Sequence, residues 1–349
     1  MKISIFDALD FLKSYIGYNL FYYFNSPKIL PKIITFSVND YCNSFCKTCY
    51  IWKNNIKEKM KNELSLDEVK KIFSKIGKIY WITITGGEPF MKPNIKEVLE
   101  TVLEISKPIF ITIATNGTFT EKTVKIVDYL TKKFPKTTFI INISLDEVEE
   151  KYKDVRGIDA FNIVINTFYE LKKIRRKNLI VGINTVISKY NIDRFPLIYN
   201  FVNDKLKPDS YIITLAEYRS KLYNENLDFV ATENKIKKVL LILLKEYKKI
   251  KNKLNIIKLL RYEYYKFLAR NKKIKNFEGI ASIYIMHNGD VWISYSKPFI
   301  LGNLRNVNYD LKKLIFCENA NKYRNLMKSE KYFTISENAF YVNRIFSLI

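Results

Sequence analysis

Three cysteines within eight residues are the first feature of this chain that could do chemistry. Cys42, Cys46 and Cys49 have the spacing C-x3-C-x2-C, and a fourth, Cys317, stands alone. This is no disulfide framework; in a reducing compartment such a cluster points to metal or redox chemistry. Thiolates hold iron–sulfur clusters, and four would saturate a cubane. Three on one loop leave one iron with an open position, where a small chelating ligand can bind. The alternative is a zinc site, which normally takes four protein ligands in tetrahedral array. Its spare ligands, His287 and Cys317, lie more than two hundred residues further along the chain.

Further candidates recur at regular intervals. Gly86-Gly87-Glu88-Pro89 combines two glycines, which let a backbone come close to a ligand, with a carboxylate that can pair with an ammonium. Asn116-Gly117 is equally a tight turn or a contact. Ser144 and Asp146 stand two residues apart, on the same side of an extended chain, where they can meet ribose hydroxyls or cap the next segment. Arg156-Gly157 offers a guanidinium, whose bidentate fork suits a carboxylate.

The elements that must position these residues alternate. Short β-branched runs at 32–38, 80–85, 109–114, 138–144, 179–186 and 210–215 read as strands. Between them lie helical patterns at 65–76, 94–106, 120–133, 160–176 and 193–202, the first opened by a Ser65-x-x-Glu68 capping box. Strand–helix alternation with short connections predicts a parallel sheet with helices outside. Both strand faces read as apolar, as a doubly covered sheet requires. Every candidate motif falls after the C-terminal end of a strand, where barrels of this kind carry their catalytic groups.

With the cysteine loop after the first strand and GGEP after the second, the chain resembles the radical S-adenosylmethionine superfamily over about residues 32–215. The resemblance implies a partial (β/α)6 TIM-like barrel. It implies that Cys42, Cys46 and Cys49 hold a [4Fe–4S] cluster and that S-adenosylmethionine is reductively cleaved to a 5′-deoxyadenosyl radical, which abstracts hydrogen from a substrate. The cofactor cradle would then be Gly86, Gly87 and Glu88 at the methionine ammonium, Ser144 and Asp146 at the ribose, and Arg156 at the methionine carboxylate. Asn116 would lie close by. Asn184 is either an adenosine contact or a strand-pairing amide, and Leu215 would pack on the adenine. The family usually has an aromatic before the third cysteine; Thr48 stands there, followed by Tyr50 after the motif.

Residues 217–349 read as a long lysine-rich helical stretch at 233–270 and a hairpin around Asn288-Gly289. A helix over 309–327 and an aromatic tail complete this part. The segment 279–303 is similar to the SPASM or twitch extension of relatives with auxiliary clusters. Here Glu278 and Ser294 stand near the places of cysteines, and a hydroxyl does not replace a thiolate as a soft ligand. The expectation is a small α+β extension without auxiliary iron.

Residues 1–31 form a third unit. Phe6, Leu9, Leu12, Ile16 and Leu20 fall at helical spacing, with Pro27 and Pro31 as the stop. Such a helix either packs on the barrel or makes peripheral membrane contact through residues 1–24. No apolar run reaches the length of a bilayer-spanning helix, and Asp7, Asp10 and Lys13 interrupt any signal-peptide core. A cytoplasmic protein is expected, with membrane association as the alternative.

The net charge is +24. Lysine is spread along the whole chain and glutamine is absent, which suggests genomic bias and a thermophile more than a nucleic-acid partner. The rival function is a metal-binding regulatory or nucleic-acid-associated protein on the same barrel. The favoured enzyme would need an external one-electron donor of ferredoxin or flavodoxin type. Its substrate would be a peptide, a lipid or another small molecule.

Overall fold

A computed structural model describes residues 5–54, 56–250, 256–270, 274–294, 299–329 and 336–347. Six β-branched segments form the expected strands: β1 (Ile33–Ser37), β2 (Trp81–Thr85), β3 (Phe110–Thr115), β4 (Thr138–Ser144), β5 (Leu179–Ile187) and β6 (Ser210–Leu215). They pair in sequence order, each parallel to the next. The crossovers are helical, as parallel pairing demands. The helix Leu66–Ile76 opens with the capping box: the Ser65 hydroxyl accepts from the Glu68 N–H, and the Glu68 carboxylate accepts from the Ser65 N–H.

The hairpin at Gly289 does not form a sheet of its own. β7 (Ser282–Ile285) pairs parallel with β1 in the register Ile34–Ile283 and Phe36–Ile285. β8 (Asp290–Trp292) and β9 (Ile300–Asn303) follow antiparallel, so one nine-stranded sheet runs β6-β5-β4-β3-β2-β1-β7-β8-β9. The C-terminal strands thereby cover the edge that β1 would otherwise present. The anticipated helix over 309–327 breaks into Leu311–Ile315 and Glu318–Ser329, and the aromatic tail contains a helix, Glu337–Phe346. The stretch 233–270 contains two helices, Glu233–Ile250 and Ile256–Arg270.

The expectation that both strand faces are apolar needs correction. Alternate residues on the outer face, among them Ile34, Ile84, Ile111, Ile141 and Ile183, are buried in one core with the surrounding helices. The residues between them face the inside of the partial barrel and are largely polar: Thr35, Thr83, Thr112, Asn142, Asn184 and Thr214. A lumen that admits a polar ligand has no use for an apolar lining. In the sequence the period-2 threonines were hidden among isoleucines.

Candidate active site

The lumen and the loops at the C-terminal strand ends enclose a cavity of ≈ 320 Å³, within the range of small-molecule sites, roughly 300–1,000 Å³. Cys42, Cys46 and Cys49 line it together with Gly86, Gly87, Asn116, Ser144, Asp146, Arg156, Asn184 and Leu215. Of the residues assigned to the cofactor cradle, Glu88 alone is not part of this lining.

The cysteine loop is held from four sides. From the end of β2, the Gly87 N–H donates to Asn39 Oδ1 at 3.0 Å, Asn39 Nδ2 to Glu88 O at 2.7 Å, and the Glu88 N–H to Tyr41 O at 3.0 Å. From the end of β3, Asn116 Nδ2 lies 2.7 Å from Asn43 Oδ1, 3.0 Å from Ser44 Oγ and 3.7 Å from Cys42 Sγ. After β4, the carbonyls of Arg156 and Val155 accept from the N–H groups of Phe45 and Lys47 at 3.0 and 3.1 Å. After β6, Leu222 O accepts from the Tyr50 N–H, and Asn224 Nδ2 donates to Thr48 O. A flexible loop is thus fixed by partners from β2, β3, β4 and β6, which no local signal encodes.

At two of the positions assigned from the sequence the structure shows contacts within the protein itself. Gly86 and Gly87 were expected to admit a ligand. A Cβ on Gly86 would lie 2.1 Å from Asn39 Oδ1, and one on Gly87 would lie 1.9 Å from Tyr41 O. The close approach is to the cysteine loop itself. Gly157 serves the same end: with φ +71° it packs where a Cβ would meet Phe45 O at 2.4 Å. Glu88 was expected to meet an ammonium. Its carboxylate is fully buried and accepts from Thr115 Oγ1 at 2.8 Å, the Phe90 N–H at 3.0 Å and the Asn116 N–H at 2.6 Å. It organises the ledge that carries Asn116. Burial outweighs these donors and pushes its pKa up to about 7.

Asp146 and Arg156 bind each other. Arg156 Nη1 lies 2.8 Å from Asp146 Oδ2, while the Val186 N–H donates to Asp146 Oδ1 at 2.8 Å. Both side chains are nearly buried. The guanidinium also faces Cys46, whose thiolate would favour its charged form.

Burial raises all three thiols, Cys46 to about 12 and Cys49 to about 11, and each is raised further by another cysteine or by Glu88. The Arg156 cation opposes this at all three. As free thiols they would stay protonated, so ionisation here calls for a metal partner. Among the described residues no three His, Cys, Asp or Glu side chains are gathered as a single metal ion needs. A cubane is a body in itself, and its thiolates need not converge on one point. His287 and Cys317 are not among the lining residues. The site also has unmet polar demand: Arg156 Nε and Asn142 Oδ1 are buried without hydrogen-bond partners among the described residues. Three thiols and these groups in the lining of one cavity fit a cluster with a polar chelating ligand.

The sequence reading missed part of the wall. Thr35, Thr83, Thr112, Asn142 and Thr214 come from alternate strand positions, a signal that could have been read. Glu217 and Arg219 follow β6, and Ser336, Glu337 and Asn338 come from the start of the C-terminal helix and the residue before it. Glu337 is buried, accepts from the Tyr341 hydroxyl, and lies 3.8 Å from Arg261 Nε. Nothing local marked them. Near β7, where relatives were expected to carry auxiliary-cluster cysteines, Glu278 is buried and accepts from Tyr284 Oη at 3.2 Å and Ser294 Oγ at 3.4 Å.

Known proteins resemble this chain in sequence and in fold. The GTP 3′,8-cyclase of Clostridium perfringens (strain 13 / Type A) is 29% identical over 154 residues, 43% of this chain and 45% of that enzyme. The subtilosin biosynthesis protein AlbA of Bacillus subtilis (strain 168) is 30% identical over 127 residues, 36% of this chain and 26% of AlbA. The chain therefore spans less than half the length of either. Streptococcus suis SuiB bound to precursor peptide SuiA superposes with a TM-score of 0.61 at 16% identity, covering 93% of this chain and 73% of that one. Native anSMEcpe with bound AdoMet and Cp18Cys peptide gives 0.63 at 15% identity, covering 86% and 84%. At such identities the shared property is the fold. Residues 36–202 match the model of the Radical SAM superfamily. Over those residues the chain carries a Radical SAM domain, and the cofactors of that superfamily are a [4Fe–4S] cluster and S-adenosylmethionine.

Proposed function

We propose that the protein is a radical S-adenosylmethionine enzyme in which Cys42, Cys46 and Cys49 hold the cluster, acting on a peptide or another small polar substrate. The observation that carries the reading is the placing of three thiols of one loop, Cys46 buried and Cys42 and Cys49 half-buried, in the lining of a polar lumen. When bound, the cofactors supply one electron to a sulfonium and, through its cleavage, hydrogen-atom abstraction from substrate.

The chain's own residues do the rest. Asn116, Asn39 and the carbonyls of Val155 and Arg156 hold the cysteine loop. Ser144, Asp146 and Asn184 present polar groups toward a ribose, and Arg156 Nε is left to meet a carboxylate. Leu215 and Val186 offer apolar contacts to a base. The lumen threonines and Asn142 supply hydrogen bonds to a substrate, and the surrounding sheet excludes water. A peptide substrate draws support from SuiB and anSMEcpe, both of which have been observed with peptides. We assign residues 32–216 to the catalytic core, 1–31 to an N-terminal helix, and 217–349 to an extension that resembles SPASM domains without their auxiliary iron. An external one-electron donor completes the system.

The test is anaerobic reconstitution of the full chain. About four irons per chain and reductive formation of 5′-deoxyadenosine are expected, both lost in Cys46→Ala and both retained in Cys317→Ala. Equal loss in Cys317→Ala, or tight zinc uptake in place of iron, would refute the assignment.

A further inference from the structure

The helix Ile5–Phe24 buries Tyr15, Tyr18 and Phe21 and leaves a second apolar face exposed. Leu9, Leu12, Ile16, Leu20 and Phe24 are 52, 52, 50, 42 and 73% exposed. At 3.6 residues per turn these five fall within one stripe about 120° wide, with Tyr23 inside it. From Leu9 to Phe24 that stripe runs for about 23 Å along the helix. The opposite face is anchored. Asp10 pairs with Lys32 Nζ at 2.9 Å and accepts from Tyr80 Oη at 2.9 Å, Ser14 meets the same hydroxyl at 2.9 Å, and Tyr18 Oη donates to Leu30 O at 2.8 Å. Phe346 packs against Tyr15 and Tyr18. Rotating the helix to bury its stripe would break this network.

We propose that the stripe docks on an anionic lipid surface. A contiguous apolar face of this size marks an interaction site, and charge decides between the occupants. A second copy would bring another +24 against this one, which like-charge repulsion disfavours, whereas the same charge draws the protein to acidic headgroups. The one charge within the stripe is Lys13, exposed. At the aromatic end, Lys28 is exposed and Lys275 Nζ lies 5.3 Å from the Tyr23 ring. Asp7 and Asp10 are paired with Lys78 and Lys32. Among the described residues no helix is long and apolar enough to cross a membrane, so the helix would lie in the interface, stripe down and Tyr23 at headgroup level. This inference is independent of the catalytic reading.

Co-sedimentation of the full chain with phosphatidylcholine vesicles, with and without phosphatidylglycerol, tests it. Binding to the phosphatidylglycerol vesicles is expected, weakened by salt. The double variant Ile16→Glu, Leu20→Glu should lose about a hundredfold in partitioning, from two apolar side chains withheld from lipid. Its circular dichroism and melting temperature should match the parent. Lys13→Glu with Lys28→Glu should reduce the preference for anionic vesicles. Three results would each overturn the proposal: no binding to anionic vesicles, equal binding by the Ile16/Leu20 variant, or a concentration-dependent dimer abolished by that variant.

Discussion

Gly87→Ala distinguishes two meanings of the GGEP motif. If the glycines admit a ligand, an added methyl should hinder S-adenosylmethionine and leave the cluster intact. The structure places the obstacle elsewhere. The new Cβ would lie 1.9 Å from Tyr41 O, 2.3 Å from Tyr41 C and 3.0 Å from the Cys42 nitrogen, all backbone atoms. Ordinary contact begins near 3.4 Å, so the Tyr41–Cys42 peptide must retreat by about 1.5 Å. It is hydrogen-bonded to the Glu88 N–H, so retreat also strains that bond. Overpacking of this kind costs about 1–3 kcal/mol, and a lost hydrogen bond adds about 1 kcal/mol. Cys42 would move with the peptide, away from the position shared with Cys46 and Cys49. The expected result is an apoprotein less stable by about 2–4 kcal/mol in urea, with iron retention reduced several-fold after reconstitution and desalting. The assay pairs urea denaturation of the metal-free chain with iron and sulfide determination. Full iron, unchanged stability and a loss confined to S-adenosylmethionine affinity would refute this reasoning and restore the ligand reading of the glycines.

Other outcomes follow from the same geometry. Glu88 has a folded-state pKa near 7 against a carboxylate reference of 4.5, so the stability it contributes is present below about pH 4.5 and is lost as pH rises through 7. The unfolding free energy from urea denaturation should fall by up to about 3 kcal/mol between pH 5 and 8 in the parent apoprotein, and Glu88→Gln should flatten that fall; an unchanged slope would place the titration elsewhere. Arg156→Ala leaves Asp146 buried and unpaired, a loss of about 3–5 kcal/mol. Asp146→Ala with Arg156→Ala should recover part of it, and additivity within about 0.5 kcal/mol in the denaturation cycle would show that the pair is not coupled. Asn116→Ala removes the amide that joins Asn43, Ser44 and Cys42 to the end of β3. Cluster loss on exposure to chelator should quicken at least tenfold, on the order of 1.4 kcal/mol, and parent-like kinetics would count against a holding role.

Much of this protein was legible along the chain. The strand–helix alternation, the capping box at Ser65, the hairpin turn at Gly289 and the cysteine spacing are local patterns, because each depends on residues a few positions apart. So did the apolar spacing of the N-terminal helix, although not the side on which it would lie. Polar strand positions such as Thr83 and Asn142 were overlooked, since isoleucines on the outer face dominate the pattern.

What the sequence by itself determined is therefore an inventory with an order: three thiols after β1, then candidate polar groups at the ends of β2, β3 and β4 and on β5. The tertiary structure decided which of these groups meet. It turned Glu88 inward to Asn116, paired Asp146 with Arg156, set the glycines against Tyr41, and brought Glu337 from the far end of the described chain to the lumen. It also joined β7 to β1 and turned the leucine stripe outward. The physical reason is common to all of these. A buried hydrogen bond, or the room for a side chain at a glycine, depends on distances between segments tens to hundreds of residues apart, and only the assembled sheet sets those distances.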